Sequence, residues 1–548
     1  MKAITANPET IRVVFSKKYL IPDFQRPYSW EKEQCEKLWD DIIDFHEQKQ
    51  TKEDSYFLGN IVINPSSDSM DSAWEVVDGQ QRLTTLLLLI KALHARAGTV
   101  KALEECLRIK DPLTSDLTDE LRVSSCVISA DRENLQTLIL GNAGQLPDCR
   151  LSDNYAIFSG KIDDWWSLKG QTTDALNGLI LTLLDGVVLL PIHCGSEDDA
   201  LTIFETINNR GMLLADADIF KAKLYHGIPK DAQGTFIDDW NALDDHDWLF
   251  RVLMHILRAK AGDSSKEIGM RSFFTAKSRL GDYEAIMKSL KTVNAIYTDW
   301  YGSDEINSLW FIMNTYPNYY WNFPLYVFLH KYGVINETSG EFVLPDARMQ
   351  EFTKLLEATV RYFFIKGVVH NSVNAVRDTV YKICVDIEAG KNYLSDYEKN
   401  ITAQDKTDFA ALLHTNRLRR YQRGIVLLAA YLHPKQDKEA FSEFVVGRYD
   451  IEHILPKKWN NYDGWTDDLW DAQLNLLGNL VPLSKSLNIA ARNEFFSRKQ
   501  AEYAKSTIQD AKDLVSLAEW TPKALEKKQE EKIGRLLAFC RIKGAPAR

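Results

Sequence analysis

Residues 73–98 read AWEVVDGQQRLTTLLLLIKALHARAG. The β-branched pair Val76-Val77 closes a strand-like run, Asp78-Gly79 supplies turn chemistry, and the apolar stretch that follows keeps helical spacing until Gly98, a common helix stop. This strand–turn–helix unit marks the front of the chain as mixed α/β. Upstream, Tyr56–Ile63 (YFLGNIVI) reads as a second strand, joined to the first by the polar turn stretch Pro65–Ser72. Tyr19-Leu20-Ile21 is a short extended run stopped by Pro22. Ser29 is placed to cap a helix reaching His46, with Leu38, Trp39, Ile42 and Phe45 on one face.

Residues 101–230 look mostly helical, with a strand at 186–192 (GVVLLPI). Residues 231–440 are helical in pattern and rich in aromatics, notably between Trp310 and Tyr332. From Tyr449 the pattern turns to short strands and turns, then to helices. No repeat or low-complexity tract interrupts the chain. The expected fold class is therefore α+β and predominantly helical, in three units: 1–230, 231–440 and 441–548.

Composition narrows the function classes. The 548 residues are 45% hydrophobic and 26% charged, an ordinary globular mixture, and the sparse Gly and Pro exclude a collagen-like or long disordered chain. No apolar run is long enough to cross a membrane and the first residues lack a signal-peptide core, so a soluble, cytoplasmic protein is expected. The seven cysteines never fall in a CxxC spacing, which argues against a disulfide framework and a cysteine-based zinc site. A net charge of −11 disfavours indiscriminate nucleic-acid binding but leaves room for local basic surfaces.

Two constellations carry chemistry. The first is Asp78 to Arg82 (DGQQR). Gly79, between strand end and helix start, lets backbone N–H groups approach an anion. Gln80, Gln81 and Arg82 add donors suited to phosphate oxygens, and Asp78 is placed to hold a phosphate-bridging divalent ion. A plain tight turn with a surface Arg is the competing reading. Gln25 and Arg26, in the loop FQRPYSW at 24–30, set an Arg beside aromatics suited to base stacking, or to mere anchoring. A third stretch, Phe204–Gly211 (FETINNRG), followed by Asp216 and Asp218, can converge on the same place.

The second is Tyr449–Pro456 (YDIEHILP), followed by Leu477–Leu483 (LGNLVPL) and Asn488. Glu-His, Asn and Asn recur in a strand–loop–strand–helix order. A one-metal phosphodiesterase needs such parts: a neutral His to activate water, hard oxygen ligands for Mg²⁺ or Mn²⁺, and an amide to orient the base. The bland alternative is a hydrogen-bonded core histidine with asparagines as caps and turn residues. Just upstream lies the basic cluster Arg417, Arg419, Arg420 and Arg423, whose positions 417, 420 and 423 can form a helix face against DNA phosphates, or a solvated or ion-paired face.

DGQQR with FQRPYSW, YFLGNIVI and IFETINNRG resembles the ParB-like NTPase domain of the GmrSD-type restriction family. IEHILP…LGNLVPLSKSLN…RNEFFSRK resembles that family's HNH (ββα-metal) nuclease domain, and Trp520-Thr521-Pro522 with its following helix fits the same pattern. The resemblance covers roughly 10–230 and 410–540. It implies an N-terminal ParB-like nucleotide-binding domain, a helical middle and a C-terminal HNH domain.

It further implies a nucleotide-regulated endonuclease of antiphage defence that cuts or nicks modified phage DNA. Carried over, His453 is the general base and Asn479 the residue orienting it. Glu452 and Asn488 bind the metal, with Asp450 an alternative ligand. The oxygen donors favour Mg²⁺ or Mn²⁺ over zinc. The NTP is GTP, ATP or CTP, bound by Asp78, Gly79, Gln80, Gln81, Arg82, Gln25 and Arg26. DNA would be contacted by Arg417, Arg420 and Lys499. Expected partners are DNA and nucleotide, with a second copy or other defence proteins as further candidates, and no membrane. Two other classes stay open: a ParB-like NTP switch that binds DNA without cutting, and a toxin-like nuclease held off by a partner.

Overall fold

In the computed structural model the polypeptide divides into two compact units, Met1–Asp238 and Asp239–Arg548. The structure describes residues 5–22, 25–51, 53–66, 73–111, 113–125, 129–141, 146–194, 216–229, 231–265, 268–275, 279–336, 338–372, 374–492 and 494–543. The border expected near 440 lies inside the second unit, where the Gln422–Tyr431 helix packs on the Leu480–Ser484 strand and the Pro522–Phe539 helix. The chain is α+β and predominantly helical, as its sequence pattern requires.

The first unit is built on a seven-stranded mixed sheet. Its strand order is Thr5–Ala6, Val187–His193, Tyr56–Pro65, Trp74–Asp78, Tyr19–Ile21 and Val123–Ser125, with Glu9–Thr10 also pairing Val187–His193. Tyr56–Pro65 runs antiparallel to Trp74–Asp78, which brings Val62 opposite Asp78. Tyr19–Ile21 runs parallel to Trp74–Asp78 on its other side. The Gln80–Ala97 helix leaves the sheet directly after Asp78, and Leu86 to Ile90 are all essentially inaccessible to water. A helix apolar on every side belongs in a core, and this one anchors the unit, with Ile61, Ile63 and Val76 of the sheet in the same cluster.

Two local expectations fail. The helix after the FQRPYSW loop is Lys32–Gln48, capped by Glu31 in a reciprocal box with Gln34, so Ser29 is not its cap. Ser29 instead gives its backbone N–H to Gln81. Within the stretch read as mostly helical, Arg108–Lys110, Leu117–Leu121 and Val123–Ser125 are short strands. The first two are too polar to show an alternating pattern, and they pair as a hairpin that supplies its own backbone partners.

Among its described residues the second unit is helical apart from two small antiparallel pairs, Val334–Ile335 with Phe342–Val343 and Tyr449–His453 with Leu480–Ser484. The Pro522–Phe539 helix starts on a Thr521 cap with Pro522 in its first turn. It rests on the Leu477–Asn479 turn: a Cβ at Gly478 would stand 2.5 Å from the Leu525 carbonyl oxygen, and the Gly478 N–H donates to Gln529. Only glycine permits that approach.

Candidate functional site

The short strand Tyr449–His453 pairs with Leu480–Ser484 in the register Asp450 with Leu483, Glu452 with Val481 and His453 with Leu480. Side chains alternate along a strand, so Asp450 and Glu452 share one face, and His453 closes the strand.

His453 is buried. Its Nε2 lies 3.1 Å from Oδ1 of Asn475, and its Nδ1 is buried without a hydrogen-bond partner. An amide oxygen only accepts, so Nε2 carries the proton and Nδ1 presents a bare lone pair. Burial lowers the imidazole pKa to about 4, with the Asn475 bond acting in the opposite sense and Lys457 and Lys499 adding small repulsions. The ring is therefore neutral at physiological pH, a base in its working state.

Asn479, expected on this imidazole, is elsewhere. Its side chain is fully buried, its Oδ1 accepting from the Leu455 N–H at 2.7 Å and from the Trp520 indole at 3.2 Å. Its amide group donates to the Leu474 and Leu455 carbonyls. Asn479 thus ties down the chain leaving His453, and Asn475, four residues earlier in the same QLNLLGN run, orients the ring. Gln422 in turn holds the Asn475 carbonyl at 3.1 Å.

Glu452 and Lys499 also depart from expectation. Lys499 is 1% exposed, and its ammonium sits 2.6 Å from Glu452 Oε1 and 2.8 Å from the His453 carbonyl. Tyr503 donates to the same Glu452 oxygen at 3.3 Å. Burial pushes the Glu452 pKa up against the pull of Lys499, and pushes the Lys499 pKa down. Lys499 cannot reach a DNA phosphate from this position, and Glu452 Oε1 is committed to an internal cation. Lys499 braces the strand end from within.

Asp450 and Asn488 are brought together. The Asn488 amide approaches Asp450 Oδ2 at 3.5 Å, and Asn488 Oδ1 is buried with no partner. A carboxylate beside an unsatisfied amide oxygen is a hard-oxygen donor pair, which fits Mg²⁺ or Mn²⁺. Among the described residues no cluster of three His, Cys, Asp or Glu is assembled. Two protein oxygens suffice for Mg²⁺, which keeps most of its waters.

The arginine cluster does not form one helix face. Arg417 precedes the helix, in an exposed loop, and Arg419 has a φ of 50°, which breaks helical continuity before Gln422–Tyr431 begins. Arg420 bonds Asn371 through its side-chain oxygen at 3.1 Å and its carbonyl at 2.8 Å, while Arg423 holds the Tyr449 carbonyl at 2.9 Å. Arg417 and Arg420 remain on the surface.

In the first unit, Gly79 begins the Gln80–Ala97 helix with a φ of 92°, and a Cβ there would press within 2.5 Å of Ile61. The glutamines expected to face phosphate are instead buried in a seam with the preceding loop. Gln80 donates to the Arg26 carbonyl at 2.9 Å and to Gln25, Gln25 to the Val77 carbonyl at 3.0 Å, and Gln81 to the Pro27 carbonyl at 3.0 Å. Their donors are consumed.

Arg82 reaches the Asn60 carbonyl at 2.7 Å, with its guanidinium against the open face of Gly59. Burial lowers its pKa while Asp78 raises it. The Asp78 pKa is raised by burial, against the Gly79 N–H and the charges of Arg82 and Arg26. Arg26 is exposed. Asp78, Arg82 and Arg26 therefore share one electrostatic neighbourhood at the helix start. The Phe204–Gly211 motif lies outside the described residues. Among the described residues no helix is long and apolar enough to cross a membrane.

Residues 11–225 match the family model described as GmrSD restriction endonuclease, N-terminal domain, and residues 403–533 the one described as GmrSD restriction endonucleases, C-terminal domain. No curated protein matches the chain.

Proposed function

The chain belongs to the GmrSD restriction endonuclease family, and on that premise we propose that His453 is the general base of a metal-assisted DNA phosphodiesterase whose action is regulated by a nucleotide in the first unit. The observation that carries the reading is the state of one ring. His453 is held through Nε2 by Asn475, is neutral, and leaves Nδ1 buried and unpartnered.

Nδ1 accepts a proton from water as the water oxygen attacks phosphorus, and the bond to the leaving oxygen breaks. The resulting imidazolium spreads its charge through the Nε2–H to Asn475. The Lys499 brace and the Asn479 clamp fix the backbone from His453 to Leu455, so the base pays little to be oriented. Asp450 and Asn488 would hold Mg²⁺ or Mn²⁺, which when bound supplies Lewis-acid stabilisation of phosphate charge.

In the first unit, Arg82 and Arg26 beside Asp78 at the Gln80–Ala97 helix start support nucleotide binding. GTP, ATP and CTP all offer the phosphates this would engage. Modified phage DNA is the proposed substrate, in keeping with the family resemblance.

The deciding experiment incubates purified protein with modified and unmodified phage DNA, with and without Mg²⁺ and each NTP. Metal-dependent cleavage that responds to a nucleotide supports the proposal. Cleavage undiminished in excess chelator overturns the metal assignment, and cleavage indifferent to every NTP overturns the regulation.

A further inference from the structure

A cavity of about 300 Å³ opens in the second unit, among residues with no part in the nuclease chemistry. Trp300, Trp310, Tyr326 and Trp248 line it as a chain of rings in mutual contact. Trp300 meets Trp310 edge-on at 6.0 Å, Trp310 meets Tyr326 at 5.9 Å, and Tyr326 meets Trp248 edge-on at 5.9 Å. Tyr297 and Tyr301, also in its lining, are 47% and 67% exposed. The volume lies at the small end of ligand sites, which run from roughly 300 to 1,000 Å³.

The polar groups in this lining are neutral. The Trp248 indole N–H is buried and turned to the Tyr326 hydroxyl within the lining. Asn314 is exposed, and Asn322 donates its amide to the Tyr319 carbonyl at 3.3 Å, which leaves its carbonyl oxygen as an acceptor. Among the described residues that line the cavity, none is charged.

That composition selects the ligand. A cation would call for a carboxylate beside the rings, and a free nucleotide for basic side chains at its phosphates. A neutral planar heteroaromatic ring needs only stacking faces and a few donors and acceptors at its edge, which is how proteins hold bases taken out of a helical stack.

We propose that this cavity binds a nucleobase extruded from DNA, stacked on one ring of the Trp300–Trp310–Tyr326–Trp248 arc and hydrogen-bonded at its edge by Asn314 and Asn322. The inference rests on the reading of the chain as a DNA-cutting enzyme but not on His453 or any metal. The cavity would thereby give a DNA endonuclease a place to inspect one base apart from the place where it cuts.

The test uses full-length protein carrying His453→Ala, so that no probe is cut, and short single-stranded DNA with one 2-aminopurine. Single strands spare the cost of opening a duplex. Binding should change 2-aminopurine emission, and Trp310→Ala should weaken affinity on the order of ten-fold or more, the usual scale for losing a stacked base. Since Trp310→Ala can disturb packing, the more exposed Tyr301→Ser and Asn314→Ala serve as second variants, each expected to lower affinity at unchanged melting temperature.

Absence of single-strand binding, binding without an emission change, or affinity indifferent to all three variants overturns the proposal. Equal or tighter saturation of the cavity by free nucleotides, read as quenching lost in Trp248→Phe, overturns the assignment to DNA. Cleavage by the His453→Ala protein, scored separately, would count against the nuclease reading and leave the cavity's result standing.

Discussion

The ammonium of Lys499 lies 2.6 Å from Glu452 Oε1 with 1% of its side chain exposed, and the same nitrogen bonds the carbonyl of His453. The side chain next to the proposed base is thereby part of the interior, and the cation beside it is permanent. A pair so deeply buried contributes little net stability, but removing one partner strands the other's charge.

Lys499→Met should therefore destabilise the second unit by about 3–5 kcal/mol, and the double variant with Glu452→Gln should recover much of that loss. Chemical denaturation measures both. DNA affinity and its salt dependence should be unchanged in folded Lys499→Met, since the ammonium touches no solvent-facing anion. A reduced salt slope would show that Lys499 reaches phosphate after all.

His453→Ala should lower cleavage by about 10²–10⁴-fold while leaving folding and DNA binding intact, as removal of a general base does. Asn475→Ala should reduce the turnover number without removing the base, because Nε2 loses its acceptor and the ring its tautomer. Asn479→Ala should act mainly on stability. Equal turnover in wild type and Asn475→Ala would separate the amide from the chemistry.

The pH dependence follows from the depressed His453 pKa. In the unfolded chain the ring titrates near 6.5, in the folded chain near 4. Between these values the unfolded state binds a proton that the folded state refuses. His453 therefore costs stability progressively as pH falls from about 6.5 to about 4, and its contribution is level below that. For catalysis, the acid limb of kcat/KM should lie near pH 4 rather than near 6.5. An imidazole titrating at 6.5 by NMR would mean that water reaches it freely.

In the first unit, Arg82→Ala should weaken nucleotide binding by about ten- to hundred-fold, the loss of one charge-assisted contact. Gln81→Ala should leave affinity nearly unchanged and lower the melting temperature, because its amide joins Ser29 and Pro27 to the helix. Calorimetry with GTP, ATP and CTP on both variants discriminates the roles. No binding by wild type would make the whole turn structural.

The strands at Tyr19–Ile21, Tyr56–Pro65, Trp74–Asp78 and Val187–His193 are legible because apolar runs bounded by turn residues force them, whereas the Tyr449–His453 strand is legible because Tyr449 and Ile451 alternate with polar residues ahead of Pro456. The partners of the polar side chains are not. Gln80 and Gln81 look like ligand donors until carbonyls more than fifty residues away claim them, a pairing that no local pattern records. Asn475 and Asn479 stand four residues apart in one run, and the Leu477–Asn479 turn decides which meets the imidazole. Arg419 adopts a left-handed φ that nothing in its side chain demands, and with it the expected arginine face dissolves. Lys499 follows Arg498 in an amphipathic helix, and only the packing shows which of the two cations turns inward.

The Asn479 clamp has a consequence for the order of events during synthesis. The side chain that fixes the residues after His453 bonds the indole of Trp520, and the turn it sits in is seated on Gln529. Until translation has passed these positions, the nascent chain holds His453 but not the frame that fixes its surroundings. A ribosome stalled short of Trp520 would release a fragment in which the proposed cutting centre is unassembled, so incomplete copies of the protein should lack its activity.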